Sequence, residues 1–232
     1  MILSTAIRAW LFDFDGTLVE PSIDFDAMRR AVLEIVARYG LDPEPLARMY
    51  TLELIERVEA QLIRRGDGLA RAFVREAEEA IVAIEIEAAR NVSAYEGAPD
   101  MLLRLMALGY RVGIVTRNCR AAVEQVMARN DLRCDVLLTR DDVAQVKPDP
   151  RHLLAALAAL DVLPQQAAMC GDHPMDIAAG RAIGATLTVG VLRPGVAPDY
   201  FAEAQPDLVL ARVVDLLDYL PDSLSDQQKN AP

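Results

Sequence analysis

Asp13 and Asp15 stand one residue apart in the run Trp10-Leu11-Phe12-Asp13-Phe14-Asp15-Gly16-Thr17-Leu18. In an extended strand, side chains at i and i+2 point to one side. Both carboxylates are therefore expected to leave the strand tip together while Phe14 turns into the core. Two anions that close repel, and each raises the other's pKa unless a positive charge sits beside them. A hard dication held by oxygen ligands is the natural neutraliser. Gly16 permits an unusual backbone angle and lets a ligand approach the main chain. An acidic turn closing a buried strand would use the same residue types, so the weight falls on the rest of the chain.

Ala9 to Phe14 is almost continuously apolar, as a strand buried on both faces should be. Glu20-Pro21-Ser22 then breaks the pattern. From about Asp24 to Arg90 no strand is legible. Met28, Val32, Ile35 and Val36 recur at helical spacing. Gly40 and Pro43-Glu44-Pro45 separate that helix from a second, marked by Leu46, Met49, Leu52, Ile55, Val58 and Leu62. Gly66-Asp67-Gly68 reads as a turn, and Ala70 to Arg90 as a third helix. This is an all-helical block inserted after the first strand.

Beyond Gly97 the pattern changes to alternation. A helix from Pro99 to Gly109 precedes a strand over Arg111–Thr116, a helix over Ala121–Arg129 and a short strand over Asp135–Leu138. A helix over Pro150–Leu160, a strand over Ala167–Cys170 and a helix over Asp176–Ala182 follow. Thr186–Val191 and Leu208–Leu210 complete the strands, and a helix runs to about Tyr219. Alternating strands and helices predict a parallel, Rossmann-like α/β sheet built of right-handed crossovers. The expected division is residues 1–20 with 91–222 as that core and 21–90 as the helical insertion. Residues 223–232 form a polar tail expected to be disordered.

In such a sheet ligands collect beyond the carboxyl ends of the strands, where strand order reverses. Those ends carry Asp13 and Asp15, then Thr116-Arg117-Asn118, then Gly171-Asp172-His173-Pro174-Met175-Asp176. Just before one helix stands Val146-Lys147-Pro148-Asp149-Pro150. Lys147 is one of two lysines, the other being Lys229 in the tail, so it does not read as surface filler. Together these residues meet the needs of phosphoryl transfer through an enzyme aspartate. Asp13 is best placed as nucleophile. Mg²⁺ can bridge Asp13, the Asp15 main-chain carbonyl, Asp172 and a phosphate oxygen. Thr116 and Lys147 can stabilise the equatorial oxygens. Asp15 suits general acid/base work near the leaving group.

At this point the chain resembles the haloacid dehalogenase (HAD) superfamily of phosphatases, over about residues 8 to 210. Its four motifs occur in order: Asp13-Phe14-Asp15-Gly16-Thr17-Leu18, Thr116, Lys147 before a proline, and Gly171-Asp172 with Asp176 four residues on. Asp176-Ile177-Ala178-Ala179-Gly180-Arg181-Ala182-Ile183-Gly184 is similar to the helix after the fourth motif in the phosphoglycolate-phosphatase-like branch. The helical insertion is similar to that branch's α-helical cap. The resemblance implies Mg²⁺, an aspartyl-phosphate at Asp13 and a cap closing over a small phosphorylated metabolite. It implies Asp13, Asp15 and Asp172 as metal ligands and Asp13 with Asp15 as catalytic pair. Thr116, Lys147 and either Arg117 or Asn118 would bind phosphate, with Asp176 acting from behind on Lys147 or a metal-bound water. Arg117 stands where many relatives carry Asn, which leaves open which of the two side chains meets the phosphate. His173 replaces a small hydroxyl residue and is expected to shape the loop.

Asp15 argues against dehalogenation, and the absence of lysine between Pro21 and Arg90 argues against imine-forming phosphonate cleavage. A sugar-phosphate mutase uses the same residues and stays open, as does a non-catalytic phospho-ligand-binding protein. A phosphorylation-receiver module fits poorly with the chain length and the large insertion. The net charge of −11 argues against nucleic-acid binding and against docking on anionic membranes. Cys119, Cys134 and Cys170 are too few and scattered for a disulfide framework or zinc site. With no signal-peptide pattern and no run long enough to span a bilayer, a soluble cytoplasmic protein is expected. Arg29, Arg64, Arg65 and Arg71 are candidates to meet an anionic substrate, although solvated helix-face charge is the preferred reading for each.

Overall fold

The computed structural model describes residues 6–66 and 68–220. Asp67 of the expected turn and the tail from Ser223 lie outside that set. Strand β1 (Ala9–Phe12) is followed by helices α1 (Phe25–Arg38), α2 (Thr51–Arg65) and α3 (Ala70–Ala89). Then come α4 (Ala98–Ala107), β2 (Arg111–Val115), α5 (Arg120–Arg129), β3 (Val136–Leu138) and α6 (Pro150–Leu160). Strand β4 (Ala167–Gly171), helix α7 (Pro174–Ala182), β5 (Leu187–Val191) and β6 (Leu208–Leu210) complete the order. The chain forms two compact units, with boundaries between Pro21 and Ser22 and between Asn91 and Val92.

The first unit holds a six-stranded parallel sheet in the order β3-β2-β1-β4-β5-β6. Order reverses between β1 and β4, whose registers pair Phe12 with Cys170. The carboxyl ends of these two strands therefore flank the crevice where α/β sheets bind ligands. Every residue of β1 is fully buried. On one face Trp10 stacks on Phe12, with ring centroids 6.2 Å apart, and meets the edge of Tyr110. On the other, Ala9 and Leu11 pack with Met169, Leu153, Leu157 and Ala179. Burial on both faces explains why the sequence is apolar without alternation.

The second unit is helical. Met28, Val32, Ile35 and Val36 of α1 pack against Leu54, Ile55, Val58 and Leu62 of α2 and Phe73, Ala77 and Ile81 of α3. Asp24 caps α1 by accepting the Ala27 amide at 2.8 Å.

Three local expectations fail for identifiable reasons. The first strand stops at Phe12 rather than Phe14, because the Phe14 carbonyl gathers the amides of Thr17, Leu18 and Val19 in a tight turn. Alternation therefore does not govern Asp15, whose direction is set by that turn. The second helix begins at Thr51, and Leu46 lies in a separate 3-10 turn (Glu44–Leu46). Pro43 and Pro45 lack the amides that a continuous ladder would need. The closing helix is tightened to 3-10 form over Val213–Tyr219.

Candidate active site

β1 carries Asp13 to the crevice; its amide still donates to the Cys170 carbonyl at 2.9 Å, so it starts from fixed backbone. Asp172 follows β4 directly. Asp176 lies in the first turn of α7, which begins at Pro174, a residue whose missing amide is no loss there. His173 caps that helix, its Nδ1 accepting the Met175 amide at 3.1 Å, while Asp176 accepts the His173 amide at 3.1 Å. A Cβ on Gly171 would overlap the Asp176 carboxylate. Only glycine lets that carboxylate lie against the end of β4. Lys147 sits in the loop before α6, where Asp149 caps the helix by accepting the Arg151 amide at 2.9 Å. The Lys147 amide donates to Nδ1 of the fully buried His152 at 3.3 Å.

These elements bring Asp13, Asp172 and Asp176 together, with one carboxylate oxygen from each within 4.8 Å of the others. The Lys147 ammonium, 1% exposed, reaches between two of them, 2.6 Å from Asp13 Oδ1 and 2.8 Å from Asp176 Oδ1. Burial opposes its charge, yet Asp13 and Asp176 outweigh burial and hold its pKa above the ordinary lysine value. The Thr17 hydroxyl lies 3.4 Å from Asp13 Oδ2 and 3.3 Å from Asp172 Oδ1, between the two carboxylates. Burial pushes Asp172 up, reinforced by Asp13 and Asp176 and opposed by Arg193. Burial also raises Asp176, with Lys147 opposing and Asp13 adding to it. Hard oxygen donors with more negative than positive charge fit a hard dication such as Mg²⁺. A bound dication would reverse these upward shifts.

At the end of β2, Thr116 and Asn118 gather around Asp15. Asn118 Nδ2 donates to both oxygens of Asp15, at 3.3 and 3.1 Å. The Thr116 hydroxyl accepts the Asn118 amide at 3.0 Å and lies 3.5 Å from Asp15 Oδ2. Of the two candidates after Thr116, Asn118 is the one joined to Asp15. Arg117 instead directs a guanidinium nitrogen to the Met175 sulfur at 3.2 Å. Inside the helical unit Arg29 pairs with Asp26, and Arg65 donates to the Tyr39 carbonyl at 3.1 Å. Arg64 and Arg71 are exposed.

Sequence reasoning missed three neighbours. Arg193 Nε lies 2.9 Å from Asp172 Oδ2. The Tyr95 hydroxyl is buried without a hydrogen-bond partner, and its pKa is raised by burial and then by Asp172 and Glu20. His152 holds the Lys147 backbone. Arg193 stands two residues past β5, so strand-end reasoning extended to the fifth strand would have reached it. His152 is one of two histidines and sits on the apolar face of α6. Tyr95 carries no signal that sets it apart from a core tyrosine.

Residues 10–190 match the haloacid dehalogenase-like hydrolase family. The chain belongs to that family. A Bacillus mycoides relative, "Pyrophosphatase PpaX", is 30% identical over 222 residues, covering 92% of this chain and 97% of the relative. A hydrolase from Pseudomonas syringae shares the fold with a TM-score of 0.69 at 21% identity, over 91% of this chain and 97% of its own. CbbY from Rhodobacter sphaeroides, solved in complex with phosphate, superposes with a TM-score of 0.62 at 25% identity, covering 90% and 96%. As a haloacid dehalogenase-like hydrolase the chain is an enzyme, and its carboxylate cluster lies at the sheet's switch point. No helix among the described residues is long and apolar enough to cross a membrane.

Proposed function

We propose that this chain is a Mg²⁺-dependent phosphatase that hydrolyses a small phosphorylated metabolite through an aspartyl-phosphate at Asp13. The observation that carries this reading is the buried Lys147 ammonium bound to Asp13 and Asp176 beside Asp172. The ammonium fixes the direction of the Asp13 carboxylate, as a nucleophile requires. Asp13, Asp172 and the Asp15 main-chain carbonyl would hold Mg²⁺, which when bound screens the negative charge of the phosphoryl group.

An Asp13 oxygen attacks phosphorus and the ester bond to the leaving oxygen breaks. Asp15, in its protonated form, gives that oxygen its proton. Water then attacks the phosphorus of the aspartyl-phosphate, Asp15 takes the proton back, and inorganic phosphate leaves with Asp13 restored. The Asn118 amide and Thr116 hydroxyl at Asp15 orient it for both transfers. Thr116, Lys147 and Asn118 bind phosphate oxygens, and Asp176 positions Lys147 from behind. The unit Ser22–Asn91 serves as the cap and the sheet unit as the catalytic domain. Three free cysteines accord with a reducing, cytoplasmic setting.

Pyrophosphate is the first substrate to try, given the PpaX relative, and 2-phosphoglycolate the second, given the branch resemblance. The test is phosphate release from p-nitrophenyl phosphate, pyrophosphate and 2-phosphoglycolate, with Mg²⁺ and with EDTA. Turnover that requires Mg²⁺ is expected; phosphate release undiminished by EDTA would overturn the metal assignment, and no turnover of any ester would overturn the phosphatase reading.

A further inference from the structure

Arg193 belongs to none of the four motifs, yet it is the cation nearest the outer side of Asp172. Its Nε stands 2.9 Å from Asp172 Oδ2, and its side chain is 28% exposed against 6% for the carboxylate. The N–H does not point along that contact, so the attraction is Coulombic rather than a directed hydrogen bond. The stem is seated on the first motif, since a Cβ on Gly16 would come within 2.9 Å of Arg193 Cδ and would overlap the Asp172 carboxylate. Gly16 has φ +89°, so both its backbone shape and its lack of a side chain leave room for this pair. The other oxygen, Oδ1, faces the Thr17 hydroxyl. A dication that uses Asp172 must therefore share the carboxylate with a fixed positive charge.

We propose that Arg193 competes with the active-site dication for the Asp172 carboxylate and so limits how tightly the site holds its metal. This rests on the metal reading above. The sign of the effect separates competition from bracing. A side chain that merely braces the loop after β5 would, when lost, loosen Asp172 and weaken metal binding. One that competes would, when lost, strengthen it, because a unit charge a few ångströms from a dication is repulsive even at high effective dielectric. A lysine at the same place keeps the charge while changing the shape.

The experiment is calorimetric titration of the full chain with Mg²⁺ alone, in mildly alkaline buffer, for wild type, Arg193→Gln and Arg193→Lys. Arg193→Gln is expected to bind Mg²⁺ about tenfold more tightly than wild type, and Arg193→Lys within about threefold of it. Equal or weaker binding by folded Arg193→Gln overturns the proposal. If that variant does not fold, Arg193→Met, which keeps the apolar stem, carries the same expectation. Absence of Mg²⁺ binding by wild type would overturn the metal reading and this proposal together, an outcome distinct from equal affinities.

Discussion

The two units handle charge in opposite ways. Among the described residues, the buried polar or charged ones of the helical unit are only Thr51 and Glu85, whereas the sheet unit buries Asp13, Lys147, Asp172 and Asp176 in one cluster. Apart from Glu85, the helical unit's charge lies toward the surface, in pairs such as Arg38 with Glu76 and Arg90 with Glu87. Its cohesion comes from apolar contact, as where Phe73 meets the edge of Tyr39 at 5.5 Å. Transferring apolar surface from water stabilises without constraint on direction. Burying ions does the reverse: it gains little net stability and fixes geometry only while every partner is present. The sheet unit thus holds a reactive arrangement that its apolar strands must support, and the helical unit carries none.

The largest expected effect lies within the cluster. Asp13→Asn keeps size and burial but removes the proposed nucleophile, so kcat on p-nitrophenyl phosphate should fall about 10⁵-fold or more. Circular dichroism should remain that of wild type, and activity within tenfold of wild type would remove Asp13 from the chemistry. Next comes a direct contrast between the units. Lys147→Met should destabilise by about 3–5 kcal/mol in EDTA, because Asp13 and Asp176 lose their buried counter-charge. Phe73→Ala should lose a similar amount, about 3–5 kcal/mol, by leaving a cavity. One ammonium in the sheet unit is thereby matched to a whole ring in the helical one. The two losses should part with pH: that of Lys147→Met shrinks as acid neutralises Asp176, and that of Phe73→Ala does not. Arg38→Ala, on the helical surface, should leave the unfolding midpoint nearly unchanged. Chemical denaturation across pH measures all three, and parallel pH profiles would break the contrast.

How far the sequence was legible follows the same division. The parallel sheet and the carboxylates at its strand ends were readable because β1 and β4 are short, wholly buried strands with acids at their ends. Lys147 was readable because lysine is so scarce here. The helical unit was readable from 3.6-residue periodicity, except where Pro43 and Pro45 split the expected second helix. What escaped were relations made by loops. Asp15 takes its direction from the turn on the Phe14 carbonyl rather than from strand alternation. Arg193 reaches Asp172 only because β5 lies beside β4, a neighbour relation that spacing along the chain does not state. Its place two residues past β5 is the one mark it carries among so many arginines.

The sharpest test of the contrast concerns protons. Both histidines lie in the sheet unit and neither in the helical one. Burial, and secondarily the Lys147 charge, lowers the pKa of His152 to about 4. An unfolded histidine titrates near 6.5, so between about pH 4 and 6.5 the unfolded chain binds more protons than the folded one. His152 therefore favours the folded state fully above about pH 6.5, and that contribution is lost as pH falls toward 4. The difference is on the order of 3 kcal/mol. The raised carboxyls of Asp172 and Asp176 slope the other way in acid, so the total profile conceals the imidazole. Subtraction exposes it: the stability of wild type minus that of His152→Asn, which keeps an acceptor for the Lys147 amide, should fall by that amount as pH falls through the window. Sheet-unit unfolding followed by Trp10 fluorescence supplies the measurement. A flat difference would mean that the imidazole beside Lys147 titrates normally, and that burial in this unit does not hold its neighbours' charge states as the cluster requires.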